Sequence, residues 1–225
     1  MTTERVRAVL FDVDGTLVDS VDLHARAWQE ALRKWGKDVR LEDVRGQIGK
    51  GGDQLVPVFL SEEEVEREGE ALERFRGERW RRAYMARVRP FPSARELLER
   101  VRRDGKRIAL ASSGKADEVE ANRRLLGLDD RLVDGATTSD DADRSKPHPD
   151  IFEAALAEAR ARPEEAIAVG DSPWDAIAAR RAGLRTVGVL CGGFPERELR
   201  EAGCVAIYRD PADLLARYEE SPLAR

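Results

Sequence analysis

Short, β-branched apolar runs alternate with helix-patterned stretches along most of this chain, and that alternation restricts the fold more than any other feature. The runs are Val6–Phe11, Arg107–Ala111, Leu132–Ala136, Ala166–Val169, Thr186–Leu190 and Val205–Tyr208. Each is brief and almost continuously apolar, as strands are when a parallel sheet is covered on both faces. Helical patterns fall between them, at Ala94–Arg103, Ala116–Leu126, Pro149–Ala161, Pro173–Ala182 and Pro211–Tyr218. Such an order predicts an α/β fold: a Rossmann-like open parallel sheet with right-handed crossovers and helices on both faces.

One interval breaks the rhythm. Between the first and second runs lie roughly seventy residues without a strand pattern, far beyond an ordinary connection. Leu23, Ala27, Ala31 and Trp35 recur at four-residue spacing, with Trp28 and Leu32 beside them, so Ser20–Trp35 reads as a helix with one apolar face. Glu62 to Glu73 is acidic and Arg74 to Arg82 basic, an order that complements a helix dipole. Gly69 and Gly77 weaken a single long helix and leave a break open. The expected organisation is a core of residues 1–19 and 89–225 interrupted by an all-α insert, residues 20–88. Pro90 and Pro92 mark the return to the core.

Composition excludes several classes. Of 225 residues, 41% are hydrophobic and 37% charged, which supports a packed core under a charged surface and argues against disorder. The net charge of −5 disfavours a general nucleic-acid binder. Cys191 and Cys204 have no Cys or His at metal-finger spacing and read as ordinary core thiols of a reducing cytoplasm. No secretory leader is visible, and no apolar run approaches the ~18 residues of a membrane span, so neither export nor a membrane partner is expected. Arginine-rich, alanine-rich helices suggest a GC-rich bacterial genome. At this size a monomer or weak dimer is expected.

Ligands of an open parallel sheet bind beyond the carboxyl ends of its strands. The first run ends in Asp12 and Asp14, whose side chains share a face if the strand continues through them. Two acids that close predict a divalent cation or a shared proton. Both options serve a carboxylate nucleophile with an acid/base partner. The second run ends in Ser112-Ser113-Gly114-Lys115, and the fourth in Gly170-Asp171-Ser172 with Asp175 one helical turn on. Between the third and fourth lies Lys146-Pro147-His148-Pro149-Asp150. One rim thus gathers carboxylates, hydroxyls and a lysine.

These four segments, in this order, resemble the haloacid dehalogenase-like superfamily of phosphohydrolases. The likeness covers almost the whole chain: DxDGT, a hydroxyl strand end, KPxPD and GDSxxD in the core, with the helical insert as the cap. It implies an Mg²⁺-dependent phosphatase acting on a small phosphorylated metabolite of the phosphoglycolate or sugar phosphate type. By this resemblance Asp12 is the nucleophile that forms an aspartyl-phosphate. Asp14 is the acid/base, with a raised pKa in part of the cycle. The Mg²⁺ ligands are the Asp12 carboxylate, the Asp14 backbone carbonyl and the Asp171 carboxylate. Ser112, Ser113 and neighbouring backbone N–H groups hold phosphate oxygens, with Lys146 as a fixed cation beside them. Gly15 permits the turn, Thr16 orients Asp14, and Asp175 holds a metal-bound water or orients Lys146.

The departures within the family are informative. Dehalogenases proper and phosphonate-cleaving relatives lack the acid at position 14, so Asp14 favours phosphate-ester chemistry. Asp19 to Trp28 resembles the start of the cap in β-phosphoglucomutase-like members, which makes His24 a candidate substrate contact and a phosphosugar mutase the second reading. The mutase-type arginine expected in the glycine loop is not evident. A third reading, a non-catalytic binding module, is disfavoured because no acid or lysine of the motifs is lost. Gly46 to Asp53 lacks the GxxxxGK[ST] of a nucleotide P-loop and reads either as a substrate-facing cap loop, with Lys50 as a candidate contact, or as a plain connection. The run Arg79–Arg82 with Arg87 and Arg89 reads either as an attraction for anionic substrate or, the favoured reading, as the solvated basic end of a helix.

Overall fold

The structure, a computed structural model, describes residues 5–225. Its centre is a six-stranded sheet of β1 (Ala8–Phe11), β4 (Arg107–Ala111), β5 (Gly135–Thr137), β6 (Ala166–Gly170), β7 (Arg185–Val189) and β8 (Ala206–Tyr208). Every pairing in it is parallel, in the order β5-β4-β1-β6-β7-β8. The chain therefore starts in the middle, builds outward to one edge, and returns across β1 to build the other. That reversal leaves a crevice at the carboxyl end of β1, where Asp12 begins.

Period-two alternation divides the core into two unlike layers. Val9, Phe11, Ile108, Leu110, Ile167 and Val169 face one side and pack with Leu97, Leu98 and Val101 of α5 (Ala94–Arg103) and Leu214 of α10 (Pro211–Ala216). Ala8, Leu10, Ala109, Ala111, Ala166 and Ala168 face the other, against α7 (Asp150–Glu158) and α8 (Pro173–Arg181). Small side chains on that face let Ile151 and Phe152 of α7 and Ala178 and Ala179 of α8 lie close on the sheet. Close seating of α8 matters because its first turn carries Asp175.

The insert is helical, as expected. It comprises α1 (Val21–Lys34), α2 (Leu41–Arg45), α3 (Gly52–Phe59) and α4 (Glu62–Arg79). These share a small core of Ala25, Trp28, Leu32, Leu55 and Leu72. The stem is a two-residue antiparallel ribbon, β2 (Val18–Asp19) with β3 (Arg89–Pro90), too short to show as a pattern in the sequence. The helices α6 (Ala116–Leu126) and α9 (Glu196–Ala202) complete the core.

One expectation needs correction. The third strand lies at Gly135–Thr137, not Leu132–Ala136: Leu132 and Val133 are buried, but within a turn closed on the Asp129 carbonyl. Helix α4 runs unbroken through Gly69 and Gly77, and the break left open there does not occur. A capping box at Ser61 and Glu64 anchors its start, and Leu72 holds its middle in the cap core. The irregularity comes later, as a π-helical turn at Trp80–Tyr84 that buries Trp80. Among the described residues no helix is long and apolar enough to cross a membrane.

Candidate active site

Asp12 leaves β1 with its backbone N–H still bonded to the Val169 carbonyl, so sheet pairing fixes where its carboxylate points. Lys146 Nζ donates to Asp12 Oδ1 at 2.6 Å and to the Ala111 carbonyl at 2.7 Å. Thr16 Oγ1 donates to Asp12 Oδ2 at 2.9 Å and also reaches Asp171 Oδ1 at 3.2 Å. The turn that brings Thr16 there runs through Gly15, at φ +87°, where a Cβ would stand 2.5 Å from Asp171 Oδ2. Only glycine accepts both that conformation and that neighbour. Thr16 thus orients Asp12 and Asp171; it does not orient Asp14 as the sequence suggested, because the turn carries its hydroxyl back beneath the strand end.

Asp171, at the end of β6, and Asp175, in the first turn of α8, complete a buried cluster. Asp12, Asp171 and Asp175 each present a carboxylate oxygen within 4.8 Å of the others'. Asp175 Oδ2 accepts from the Ser172 hydroxyl at 2.6 Å and the Ser172 N–H at 3.1 Å. Its Oδ1 lies 2.8 Å from Lys146 Nζ, an ion-pair distance outside hydrogen-bond alignment.

The charges do not balance. Three buried carboxylates share one lysine. Burial pushes Asp12 up to about 7, Lys146 only partly offsets it, and Asp175 and Asp14 add to the rise. Asp171 is raised well above the usual carboxylate range, by burial first and then by Asp12 and Asp175. Burial alone would lower the Lys146 ammonium, but Asp12 and Asp175 outweigh it and hold it above its ordinary value. An oxygen-only donor set with surplus negative charge fits a hard divalent cation.

Asp14 is held differently. Its Oδ1 accepts from Ser20 Oγ at 2.7 Å and meets His24 Nε2 at 3.1 Å. The other ring nitrogen of His24, Nδ1, meets the Arg76 guanidinium. Arginine only donates, so in the neutral imidazole Nδ1 is the acceptor and Nε2–H faces Asp14. Burial would raise Asp14, yet His24, Ser20 and Arg76 together bring it down to about 2. That is opposite to the raised pKa expected of an acid, and it leaves Asp14 ionised with Oδ1 occupied. Arg76 continues to Glu118 of α6 at 2.8 Å, joining cap to core. His24 also stacks on Trp80, with ring centroids 3.6 Å apart.

Between cap and core lies a cleft of about 660 Å³ whose lining includes Asp12, Asp14, His24, Lys50, Arg76 and Ser113; Lys146, Asp171 and Asp175 are not part of that lining. Ser113 Oγ is buried without a hydrogen-bond partner among the described residues. Ser112 is also buried, and its hydroxyl accepts from the Gly114 N–H at 3.0 Å. Lys50 donates to Gln47 at 2.7 Å, and burial lowers its ammonium pKa. Of the arginine run, Arg79 pairs with Glu30 and Arg89 donates to the carbonyls of Ala86 and Val88. Arg81 reaches the cleft wall.

The family model of the haloacid dehalogenase-like hydrolases matches residues 6–183. The chain belongs to that family. As a haloacid dehalogenase-like hydrolase it is 30% identical to a phosphorylated carbohydrates phosphatase of Thermotoga maritima, over 93% of this chain and 97% of that one. It is 29% identical to the pyrophosphatase PpaX of Bacillus cereus, over 82% of this chain and 83% of that one. A solved hydrolase from Pseudomonas syringae shares 34% identity and superposes with a TM-score of 0.85, covering 95% of this chain and 98% of the other. The core-plus-cap architecture is therefore the family's, and the sequence-level resemblance holds.

Arg76, Glu118 and Ser20 escaped the sequence reading. Arg76 and Glu118 are 42 positions apart, on helices of cap and core, and no spacing rule pairs them. Ser20 follows the first motif closely enough to have been a candidate for holding Asp14.

Proposed function

We propose that the protein is a divalent-cation-dependent phosphatase of small phosphorylated metabolites, working through an aspartyl-phosphate on Asp12. The observation that carries the proposal is Asp12 itself: a buried carboxylate clamped by Lys146 and Thr16 at the sheet's switch point, facing the cleft. In this reading residues 1–19 and 89–225 are the catalytic core and 20–88 the cap. The names of the phosphatase and pyrophosphatase relatives support it.

The Asp12 and Asp171 carboxylates and the Asp14 backbone carbonyl would hold the cation, which we take to be Mg²⁺; bound there, it screens the nucleophile from the phosphoryl dianion. Asp12 attacks phosphorus while Lys146 balances charge on the phosphoryl oxygens. Ser112, Ser113 and backbone N–H groups of that turn orient the group. Asp14 gives a proton from Oδ2 to the leaving oxygen, then takes one from the water that hydrolyses the acyl phosphate. The acid form requires a pKa above the value of about 2 seen here. A dianion arriving beside Asp14 acts in that direction. Asp175 orients Lys146.

The test is turnover of phosphorylated metabolites, including sugar phosphates, phosphoglycolate and pyrophosphate, alongside p-nitrophenyl phosphate. Excess chelator should reduce it to background and added Mg²⁺ restore it. Asp12→Asn should cost at least about 10⁴-fold in kcat, as for other covalent nucleophiles. Near-normal activity in that variant would refute the scheme. The His24–Asp14 contact keeps a phosphosugar mutase as the second reading; it requires interconversion of hexose 1- and 6-phosphates in a coupled assay primed with a bisphosphate.

A further inference from the structure

The glycine stretch of the cap does not hang free. It lies on the junction of β6 and α8, which carries Asp171 at the strand end and Asp175 in the first helical turn. Trp174, between those two acids, donates from Nε1 to the Gly46 carbonyl at 3.2 Å. Lys50 Nζ sits over the Trp174 ring, 4.0 Å from its centroid. Gly49, between them, has φ +103°, and a Cβ there would stand 2.7 Å from Ser172 Oγ and 3.2 Å from Trp174 Cδ1. A hydrogen bond, a cation–π contact and a glycine-only approach therefore converge on one indole. Lys50 lines the cleft and Trp174 does not.

We propose that Trp174 is a positioning residue, the docking plate on the core onto which the cap's glycine loop closes, and that through its ring Lys50 is held at the cleft for the phosphoryl group or its leaving group. What Lys50 meets rests on the phosphatase reading; the docking itself does not. Closing the loop and placing the acids become one event, because Trp174 sits in the first turn of α8, between Asp171 and Asp175.

The experiment has two arms on the full chain. In hydrogen exchange, Trp174→Leu should speed exchange of the 46–53 segment at least about fivefold while β6 stays as protected as in the wild type. Gly49→Ala should do the same, and Trp174→Phe, which keeps the ring but not the N–H, should fall between. In steady-state turnover of p-nitrophenyl phosphate, Trp174→Leu and Lys50→Met should each raise KM about tenfold with kcat changed by less than about threefold. The double variant should be no worse than either single one, since both remove one interaction. Unchanged exchange at 46–53 in Trp174→Leu and Gly49→Ala overturns the docking. Single effects on KM that multiply in the double variant overturn the coupling of Trp174 to Lys50. If the wild type hydrolyses no phosphate ester, the functional reading fails while the exchange arm still decides the docking.

Discussion

Two aspartates one residue apart occupy opposite electrostatic situations. Asp12 is buried with too little positive charge and is pushed up to about 7; Asp14 is surrounded by donors and brought down to about 2. Separation of this kind marks groups with different tasks. It also has a consequence for stability. Between pH ~4 and ~7 the cation-free folded chain keeps a proton on Asp12 that the unfolded chain has lost, so stability falls as pH rises through that window. Asp171 shifts in the same direction. Asp14 contributes the other way, but its contribution is lost only as pH falls from about 4 to about 2, outside the window. Without divalent cations the melting temperature should therefore drop between about pH 5 and about pH 8, and Mg²⁺, taking the place of the proton, should abolish the drop. A cation-free melting temperature that rises over that range would contradict this assignment of charge.

At the level of elements, α4 shows how tertiary packing overrides propensity. Its two glycines left a break open, yet the capping box and Leu72 keep the helix whole. A Cβ added at Gly69 would meet only Val65 Cγ1, at an ordinary 3.5 Å. Gly69→Ala should therefore raise stability by about 0.5–1 kcal/mol in denaturant titration, the usual gain for a helix interior. A loss would show that the site needs the glycine. The same contrast explains what was legible beforehand. Strands β1, β4 and β6 announced themselves through β-branched runs with polar tails, and their tails were the motif residues. β5 was misplaced because Leu132 and Val133 are apolar for reasons of burial, not pairing. The β2–β3 ribbon has two residues a side, below any periodic signal. The hydroxyl of Thr16 was assigned to the wrong acid because the sequence does not show which way a glycine turn aims the next side chain.

Across the whole molecule, the cap completes the site and does more than cover it. His24 and Arg76 come from the insert, Asp14 and Glu118 from the core, and they form one chain of contacts through the cleft wall. The first motif revealed Asp14 and the family resemblance named His24; Arg76 and Glu118 join them only once cap and core are folded together. Arg45 adds a second join, donating to the Gly192 carbonyl at 2.7 Å. Because Arg76 sets which nitrogen of His24 donates to Asp14, Arg76→Met should lower kcat by about 10- to 100-fold with a smaller change in KM, the scale of impaired acid–base catalysis. An equal loss confined to KM would make Arg76 a binding group instead. Above all these contacts stands the claim that Asp12 forms a bond to phosphorus. Acid quenching during turnover of a labelled phosphate ester, reduction of any acyl phosphate with borohydride, and peptide mass analysis test it most directly. The account predicts homoserine at position 12 and at no other aspartate; phosphate release with Asp12 never modified would contradict it.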